Sequence, residues 1–304
     1  GDHRDLHLSL RRQRQMCIRD SPLAIFPEAD LLSDDLMQSI ASEINYSETV
    51  FIQKPISKQN SAKVKIFTPK NELPFAGHPN VGAGYFLIQY PQFIQGYYSK
   101  EKMIFEELAG LVYVSPQYAG QKIIGAEIEA PSKFNTSISI PSSLISRCIE
   151  IDEKFLVSAA PPVVAGVGLD FVIAEVESYE ALKKARCNIS AFEESDKDYS
   201  YGDDFFSLMI FTNNVGKNIV ARVFAPLSGI VEDAATGSAC GALGALLASR
   251  NNLQTGKIDF EINQGESIGR PSYINVSVIK EQGEVIKTSI SGKCVLVSEG
   301  TFYI

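Results

Sequence analysis

The sequence predicts an α+β protein with two similar domains, and three observations support this fold class. Candidate strands rich in β-branched and aromatic residues outnumber candidate helices. A strand, a proline-ended turn, a glycine and a helix of small residues follow one another at two places in the chain. The 304 residues, 45% of them hydrophobic, are enough to form two cores.

Residues 1–20 differ in composition from the rest of the chain. The stretch GDHRDLHLSLRRQRQMCIRD contains five arginines and two histidines, and it lacks the alternation expected of a strand. It fits neither a signal peptide nor a transit peptide, and it resembles translated sequencing-adapter sequence. We therefore interpret it as a non-native segment that replaces a native first strand, and we exclude His3 and His7 as ligands.

The next two segments carry clear local signals. SPLAIFPEAD predicts a buried strand and a turn, and LLSDDLMQSIASEIN predicts an amphipathic helix over 31–45. Ser33 is placed to cap this helix, and acidic residues occupy its first turn. Leu36, Ile40 and Ile44 recur every four residues and form its apolar face.

Short β-rich segments bounded by turn residues make up much of the remaining sequence. The predicted strands are VKIF, KMIFEE, LVYVSP, IIGAEIEAP, GLDFVIAEV, FFSLMIFT, NIVARVFAP, KIDFEI, YINVSVIK, VIKTSIS and KCVLVSEG. The stretches 89–101 and 190–204 are predicted as loops that shape substrate choice, and their composition does not indicate which substrate.

Two segments share one order of elements. KIFTP leads into the helix GHPNVGAGYFL, which begins at Gly77, and RVFAP leads into GSACGALGALL, which begins at Gly237. A glycine at a helix start lets the backbone approach a ligand, and the free N–H groups there favour an anion. The two helix starts together predict binding of a carboxylated substrate. Close packing of core helices is an equally good explanation of the small residues in both helices.

Charge and cysteine content argue against several classes of partner. The formal net charge is −8 and no basic run occurs beyond residue 20, which disfavours nucleic acid and anionic membrane surfaces. Five cysteines without a CxxC pair and only three histidines disfavour a zinc site and a disulfide framework. No apolar run reaches the ~18 residues of a membrane span. We therefore predict a cytoplasmic protein that acts on small molecules without a metal.

Four motifs occur in order along the chain: NYSETVFI at 45–52, FTPKNELPFAGHPNVGAGYFL at 67–87, RVFAPLSGIVEDAATGSACGALGALL at 222–247 and QGESIGRPSYINVSV at 264–278. Together they resemble the motifs of the PhzF-like isomerases of phenazine biosynthesis, which are relatives of diaminopimelate epimerase. The resemblance extends from about Pro22 to the C-terminus.

The resemblance implies two pseudo-symmetric domains, each a curled, mostly antiparallel sheet around a central helix, with the active site in the cleft between them. It predicts a first domain over 21–125, completed by a C-terminal strand at about 292–304, and a second domain over 126–291. It further implies isomerisation of a small carboxylated metabolite by proton transfer without a cofactor, and a homodimer.

Matching the motifs position by position assigns roles to individual residues. Glu48 of SETVF stands where the family has its general acid and base, and His78 and Asp233 match residues that orient the substrate and assist proton movement. Four residues are expected to bind a substrate carboxylate: Gly77, Thr236, Gly237 and Ser238. The sequence departs from the family pattern at Asn80 and Ala234, where threonine and proline are common.

The same residue types suit proton transfer on general grounds. A carboxyl in a closed cleft is poorly solvated, which raises its pKa toward neutrality and would let Glu48 both give and take a proton. The positive end of a helix favours a neutral imidazole at His78. Each acid also has an interpretation without catalysis. Glu48 could be an exposed residue at a strand start, and Asp233 could be a helix-capping or turn residue.

Besides a thiol-independent epimerase or racemase, which is less favoured, three other functions compete with isomerisation. A thiol-pair racemase is disfavoured because its cysteine positions hold Ala76 and Thr236, and Cys240 lies one helical turn later. A Ser/His/Asp hydrolase is disfavoured because no glycine stands two residues before Ser238. A ligand-binding or regulatory protein without catalysis remains open, because a fold does not determine a function. Proton exchange into a bound ligand would distinguish an isomerase from a binding protein.

Overall fold

The computed structural model describes residues 7–15, 22–199, 205–215 and 218–303. Contacts divide the chain into two compact units, of which the first comprises residues 1–128 with 292–304 and the second comprises residues 129–291. The helices of the described residues are α1 (Asp34–Ile44), α2 (Gly77–Gln89), α3 (Ser142–Ile149), α4 (Tyr179–Lys184), α5 (Ile189–Tyr199) and α6 (Gly237–Ser249).

Strands outnumber helices in the described residues, as the sequence predicts. The strands are β1 (His7–Gln15), β2 (Pro22–Phe26), β3 (Glu48–Gln53), β4 (Ala62–Phe67), β5 (Glu72–Leu73), β6 (Met103–Glu107), β7 (Gly110–Ala119), β8 (Lys122–Glu129), β9 (Asn135–Ser139), β10 (Val163–Gly166), β11 (Asp170–Glu175), β12 (Leu208–Val215), β13 (Asn218–Ala225), β14 (Ile230–Asp233), β15 (Gly256–Gln264), β16 (Ser272–Glu281) and β17 (Glu284–Tyr303). Most strand pairs are antiparallel. Together with the six helices of the described residues, these strands make the protein a mixed α and β structure.

In the first unit, β3 has a neighbour on each side. It pairs in parallel with β2 and antiparallel with β4. β4 also pairs with β5 and β6, and β6 pairs with β7. Helix α1 packs on this sheet through a cluster that contains Phe26 and Phe51, whose rings stack with centroids 5.1 Å apart. This pairing places Glu48, the first residue of β3, opposite Leu23 of β2.

Helix α1 confirms the predicted helix and its cap. The Ser33 hydroxyl accepts a hydrogen bond from the backbone N–H of Leu36 at 3.3 Å, which satisfies one of the free donors at the helix start. The residues buried along it are Met37, Ile40 and Ala41. The apolar face is therefore centred slightly away from the predicted one, and Leu36 is only partly buried.

Residues 1–20 contain a strand that the sequence does not predict. β1 pairs antiparallel with β2 and with the end of β17, where His7 is opposite Tyr303. Strand pairing satisfies backbone N–H and C=O groups, so it does not require hydrophobic alternation. The expectation that this segment lacks a strand is corrected, whereas its foreign origin stays a prediction. His3 and Cys17 lie outside the described residues.

In the second unit, β10 pairs antiparallel with β9 and β11, and β11 runs parallel to β12. The strands β12 and β13 are antiparallel, β13 and β15 are parallel, and β15 and β16 are antiparallel. β14 is a short strand beside β13 and ends at Asp233. Helices α3, α4 and α5 share one apolar core with these strands.

The stretch 190–204, predicted as a loop, is helical over much of its length because α5 extends to Tyr199. The buried residues of α5 are Ala191, Phe192 and Ser195. Such a narrow apolar face among charged residues gives a weak helical period. The ring of Phe192 packs on that of Phe206, with centroids 5.7 Å apart, so tertiary packing stabilises this helix.

Two predicted strands, VIKTSIS and KCVLVSEG, form the single strand β17. Its first part pairs with β16, where Ser291 is opposite Asn275. Gly292 lies between the two predicted strands and continues the strand instead of turning. It packs closely on Gly125 of β8, because a Cβ on Gly125 would lie 1.9 Å from the Gly292 carbonyl oxygen.

Helices α2 and α6 begin at Gly77 and Gly237, as the sequence predicts. Each has 11 buried residues among its 13, so both helices are buried on nearly all sides. A Cβ on Gly84 would lie 2.4 Å from Cγ1 of Val114 in β7. The small residues inside α2 therefore serve close packing against strands, and the ligand-binding interpretation concerns only the helix start.

The structure also bears on membranes and disulfides. None of the helices in the described ranges is long and apolar enough to cross a bilayer. The four cysteines within those ranges are free thiols: Cys148, Cys187, Cys240 and Cys294.

Candidate active site

The first unit brings the predicted acid and the predicted histidine into contact. Oε2 of Glu48 lies 2.9 Å from Nε2 of His78. Their exposed fractions are 5% and 4%, so the contact is shielded from water. A carboxyl and an imidazole at this distance can hold a proton on either partner. The alternative of an exposed Glu48 is therefore wrong.

Strand pairing and helix geometry fix these two side chains. Glu48 begins β3, which is paired on both sides. His78 is the second residue of α2, whose N-cap residue Ala76 provides no side-chain cap. The first turn of α2 contains no acidic residue. The backbone N–H groups of Gly77 and His78 thus belong to a helix start that favours an anion or a developing negative charge.

In the second unit, Asp233 and Thr236 form a tight turn before α6. The Thr236 hydroxyl donates to Oδ2 of Asp233 at 2.6 Å. Oδ1 of Asp233 is buried and receives no hydrogen bond from the described residues. One carboxylate oxygen of Asp233 is therefore fixed by its own turn, and the other is available to a further donor.

The predicted carboxylate-binding residues form the start of α6. Thr236 is the N-cap, and Gly237 and Ser238 are the first two helical residues. Ser238 is buried, with 3% exposure, and the first turn carries no acidic side chain. Backbone N–H groups and a hydroxyl therefore occur together at the positive end of a helix dipole, which is a suitable site for a carboxylate.

The side chain of Gln264 also holds this turn in place, and the sequence motifs assign it no role. Its Oε1 accepts from the Thr236 backbone N–H at 3.1 Å, and its Nε2 donates to the Asp233 carbonyl oxygen at 2.9 Å. Nε2 also lies 2.9 Å from the Thr236 hydroxyl oxygen. Gln264 begins the fourth motif and ends β15. Its position in a motif is the only sequence signal for it, because the contacts span 28 residues or more.

Cys240 lies in the interior of α6 and does not resemble a catalytic thiol. Its Sγ donates to Oε1 of Gln264 at 3.5 Å. Burial raises the pKa of the Cys240 thiol well above its ordinary value, and the charge of Asp233 raises this pKa further. The thiol therefore stays protonated, whereas a thiolate is the reactive form. This adds to the sequence argument against a thiol-pair racemase.

The predicted site residues fall into two groups. The first unit holds Glu48, Gly77 and His78, and the second unit holds Asp233, Thr236, Gly237 and Ser238. Each group lies at a strand end and a buried helix start within its own unit. The catalytic and binding roles of these residues stay predictions.

Comparison with known proteins establishes the family. A profile of the PhzC-PhzF family, described as phenazine biosynthesis-like protein, matches residues 17–300. The chain belongs to this family. Among its relatives, the trans-2,3-dihydro-3-hydroxyanthranilate isomerase of Pseudomonas aeruginosa is 30% identical over 288 residues, which cover 94% of this chain and 95% of that protein. Antisense-enhancing sequence 1 of Schizosaccharomyces pombe is 30% identical over 305 residues, covering 94% of each chain.

A solved structure shows the same fold. The crystal structure of a Bacillus anthracis phenazine biosynthesis protein of the PhzF family matches with a TM-score of 0.83 at 20% identity, and it covers 98% of this chain and 99% of that one. The family inferred from the four sequence motifs is therefore confirmed, and this PhzF-family chain belongs with relatives that are named as isomerases.

Proposed function

We propose that this PhzF-family protein is an isomerase that moves a proton on a small carboxylated substrate, with Glu48 as the general acid and base. The observation that carries this proposal is the 2.9 Å contact between the buried Glu48 and His78 side chains. A carboxyl shielded from water and in contact with an imidazole can both remove and return a proton.

The proposed reaction balances without a co-reactant. The Glu48 carboxylate removes a proton from one carbon, and the electrons of that C–H bond form a new double bond. The existing double bond shifts, and Glu48 returns the proton to another carbon. The His78 imidazole lies 2.9 Å from the Glu48 carboxyl, so in this proposal it keeps the carboxyl oriented and stabilises each protonation state in turn. We expect no cofactor.

Substrate binding is assigned to the helix starts. The backbone N–H groups of the first turn of α6, which begins at Gly237, and the hydroxyl of Ser238 suit a carboxylate, and the available Oδ1 of Asp233 suits a donor on the substrate. The named Pseudomonas aeruginosa relative acts on a hydroxyanthranilate derivative, which is a carboxylate. We propose the same chemical class here and not the same compound. We also propose a homodimer, which light scattering would test.

A ligand-binding protein without catalysis is the second candidate. It is favoured by one observation, that antisense-enhancing sequence 1, a relative of equal identity, carries a name that describes no enzyme. The same helix starts would bind a carboxylate in either case. The two functions differ in whether the protein exchanges a substrate proton.

Deuterium incorporation distinguishes the two functions. Small carboxylated metabolites are incubated with the protein in heavy water, and mass spectrometry measures the deuterium that each compound gains. An isomerase should label at least one compound on carbon, and the Glu48→Gln variant should bind that compound without labelling it. Compounds that bind but gain no deuterium with the wild type would support the binding protein and contradict the isomerase.

A further inference from the structure

Glu107 is a partly buried acid that the proposed mechanism does not use. It is the last residue of β6 and is paired with Gly110 of β7. Both of its carboxyl oxygens are buried and accept no hydrogen bond from any described residue. Because Gly110 has no side chain, the paired position on β7 provides no polar group for this carboxyl.

The side chain of Asn80 on α2 interacts with this carboxyl. Nδ2 of Asn80 donates to the carbonyl oxygen of Ala76, the N-cap residue of α2, at 3.0 Å. Oδ1 of Asn80 is also buried, and within the described part of the chain it receives no hydrogen bond. This interacting pair thus has three buried acceptor oxygens, two on Glu107 and one on Asn80, that receive no hydrogen bond from the described residues.

Protonation of Glu107 would supply the missing donor. An ionised carboxylate only accepts hydrogen bonds, whereas a carboxylic acid carries one O–H donor. A buried carboxylate without donors is strongly disfavoured. The adjacent Glu106 is in the opposite situation, because its carboxylate accepts from the backbone N–H groups of Ile56 and Ser57 and from the Asn60 amide at 2.7 to 2.8 Å.

We propose that Glu107 is protonated at neutral pH and donates its O–H to Oδ1 of Asn80, and that this hydrogen bond fixes the first turn of α2. The Asn80 amide then links Glu107 to the Ala76 carbonyl oxygen. His78 lies between Ala76 and Asn80 in this turn, so Glu107 is a positioning residue for His78. This last step rests on the function proposed above for His78.

The surrounding charges are compatible with a protonated Glu107. Burial raises the pKa of Glu107 well above its ordinary value, and the Asn80 amide lowers it by a smaller amount. Successive strand residues point to opposite faces, so Glu106 and its neighbour Lys63 of β4 face away from this carboxyl. On α2 the titratable group near Asn80 is His78.

Infrared spectroscopy tests the protonation state directly. At neutral pH the wild type should show the C=O stretch of a buried carboxylic acid, shifted in heavy water, and Glu107→Gln should lose this band. Glu106→Gln is the matched control and should keep it. Burial raises the pKa of Glu106, but the hydrogen bonds from Ile56, Ser57 and Asn60 and the charge of Lys63 together lower it below its ordinary value. An unchanged band in Glu107→Gln would overturn the proposal.

The pH dependence of unfolding provides a second measurement. The folded chain retains the Glu107 proton while the unfolded chain releases it near the ordinary pKa of 4.5. The contribution of Glu107 to the free energy of unfolding is therefore fully present below this pH and is lost as the pH rises through the folded pKa. Between the unfolded and the folded pKa, the equilibrium constant for unfolding of the wild type, divided by that of Glu107→Gln, should rise about tenfold per pH unit. A ratio independent of pH would contradict protonation.

Nuclear magnetic resonance tests the positioning role. His78 is the only histidine beyond residue 7, so a His78→Gln variant assigns its imidazole signals. Glu107→Ala should shift these signals and lower kcat with little change in KM. Glu107→Gln should leave both near wild type, because its amide N–H can donate to Asn80. Unchanged His78 signals in Glu107→Ala would overturn positioning. These spectra need no substrate, so a lack of isomerase activity would count against the proposed function alone.

Discussion

Nε2 of His78 lies 2.9 Å from Oε2 of Glu48, and the two side chains are buried together at the start of a helix and the start of a strand. Because β3 is paired with β2 and β4, Glu48 cannot move far without breaking backbone hydrogen bonds. The contact is thus preorganised within one unit of the fold, as general acid and base catalysis requires.

Glu48→Gln should separate proton transfer from binding. The amide keeps the size of the side chain and can hydrogen-bond to His78, but it cannot accept and return a proton. We expect normal folding, retained ligand binding, and a loss of at least ~100-fold in turnover, the lower range for this type of catalysis. Deuterium incorporation measured for wild type and variant checks this. Equal incorporation would move the assignment of the base to Asp233 or His78.

Ser238→Ala should weaken binding more than turnover, because it removes a hydroxyl donor at the start of α6 and leaves Glu48 intact. A hydrogen bond to a charged group contributes about 1.5–3 kcal/mol, so we expect an affinity loss of about tenfold or more by calorimetry. Ser249→Ala, at the other end of α6, is the control, since the Ser249 hydroxyl donates to the Leu246 carbonyl oxygen. Equal affinity losses in both variants would contradict a carboxylate site at Ser238.

Gln264→Met should loosen the turn that holds Asp233. The substitution keeps the side-chain length but leaves the Thr236 N–H and the Asp233 carbonyl oxygen without their partner. Each unsatisfied buried group costs about 1–3 kcal/mol, so urea denaturation should show a destabilisation of about 2–6 kcal/mol for the two groups together. The control is Gln59→Met at an exposed position, which should change stability by less than about 0.5 kcal/mol. A stable Gln264→Met would show that the turn forms without this residue.

Gly244→Ala tests the close packing of α6. Alanine has a higher helix propensity than glycine by about 1 kcal/mol, but its Cβ would lie 2.5 Å from Cγ1 of Val276. Overpacking of this kind costs about 1–3 kcal/mol, so thermal unfolding should show a net loss of stability. Val276→Ala should relieve the clash. It should therefore destabilise the Gly244→Ala variant less than it destabilises the wild type. A stabilised single variant would show that the helix can move away from β16.

The sequence predicted the residues of the candidate site but not the contacts among them. Four motifs identify the family, and they place Glu48, His78 and Asp233 at strand ends and helix starts that the structure contains. The motifs do not reveal that Gln264 holds the Asp233 turn, or that the Glu107 carboxyl is buried beside Asn80. Those relations depend on which strands pair and in which register, and a motif contains no information on either.

Local sequence by itself determined the elements whose signals lie within a few residues. Helix α1 has its cap at Ser33 and its apolar period within three turns, and α2 and α6 begin at the glycines of their motifs. Caps, turns and periods act between neighbours along the chain, so they can be seen without a partner. Tertiary structure alone decided the pairing of β1, the continuity of β17 and the helical state of α5. Each of these is stabilised by contacts with residues far away in the sequence, and such contacts form only when the whole unit folds.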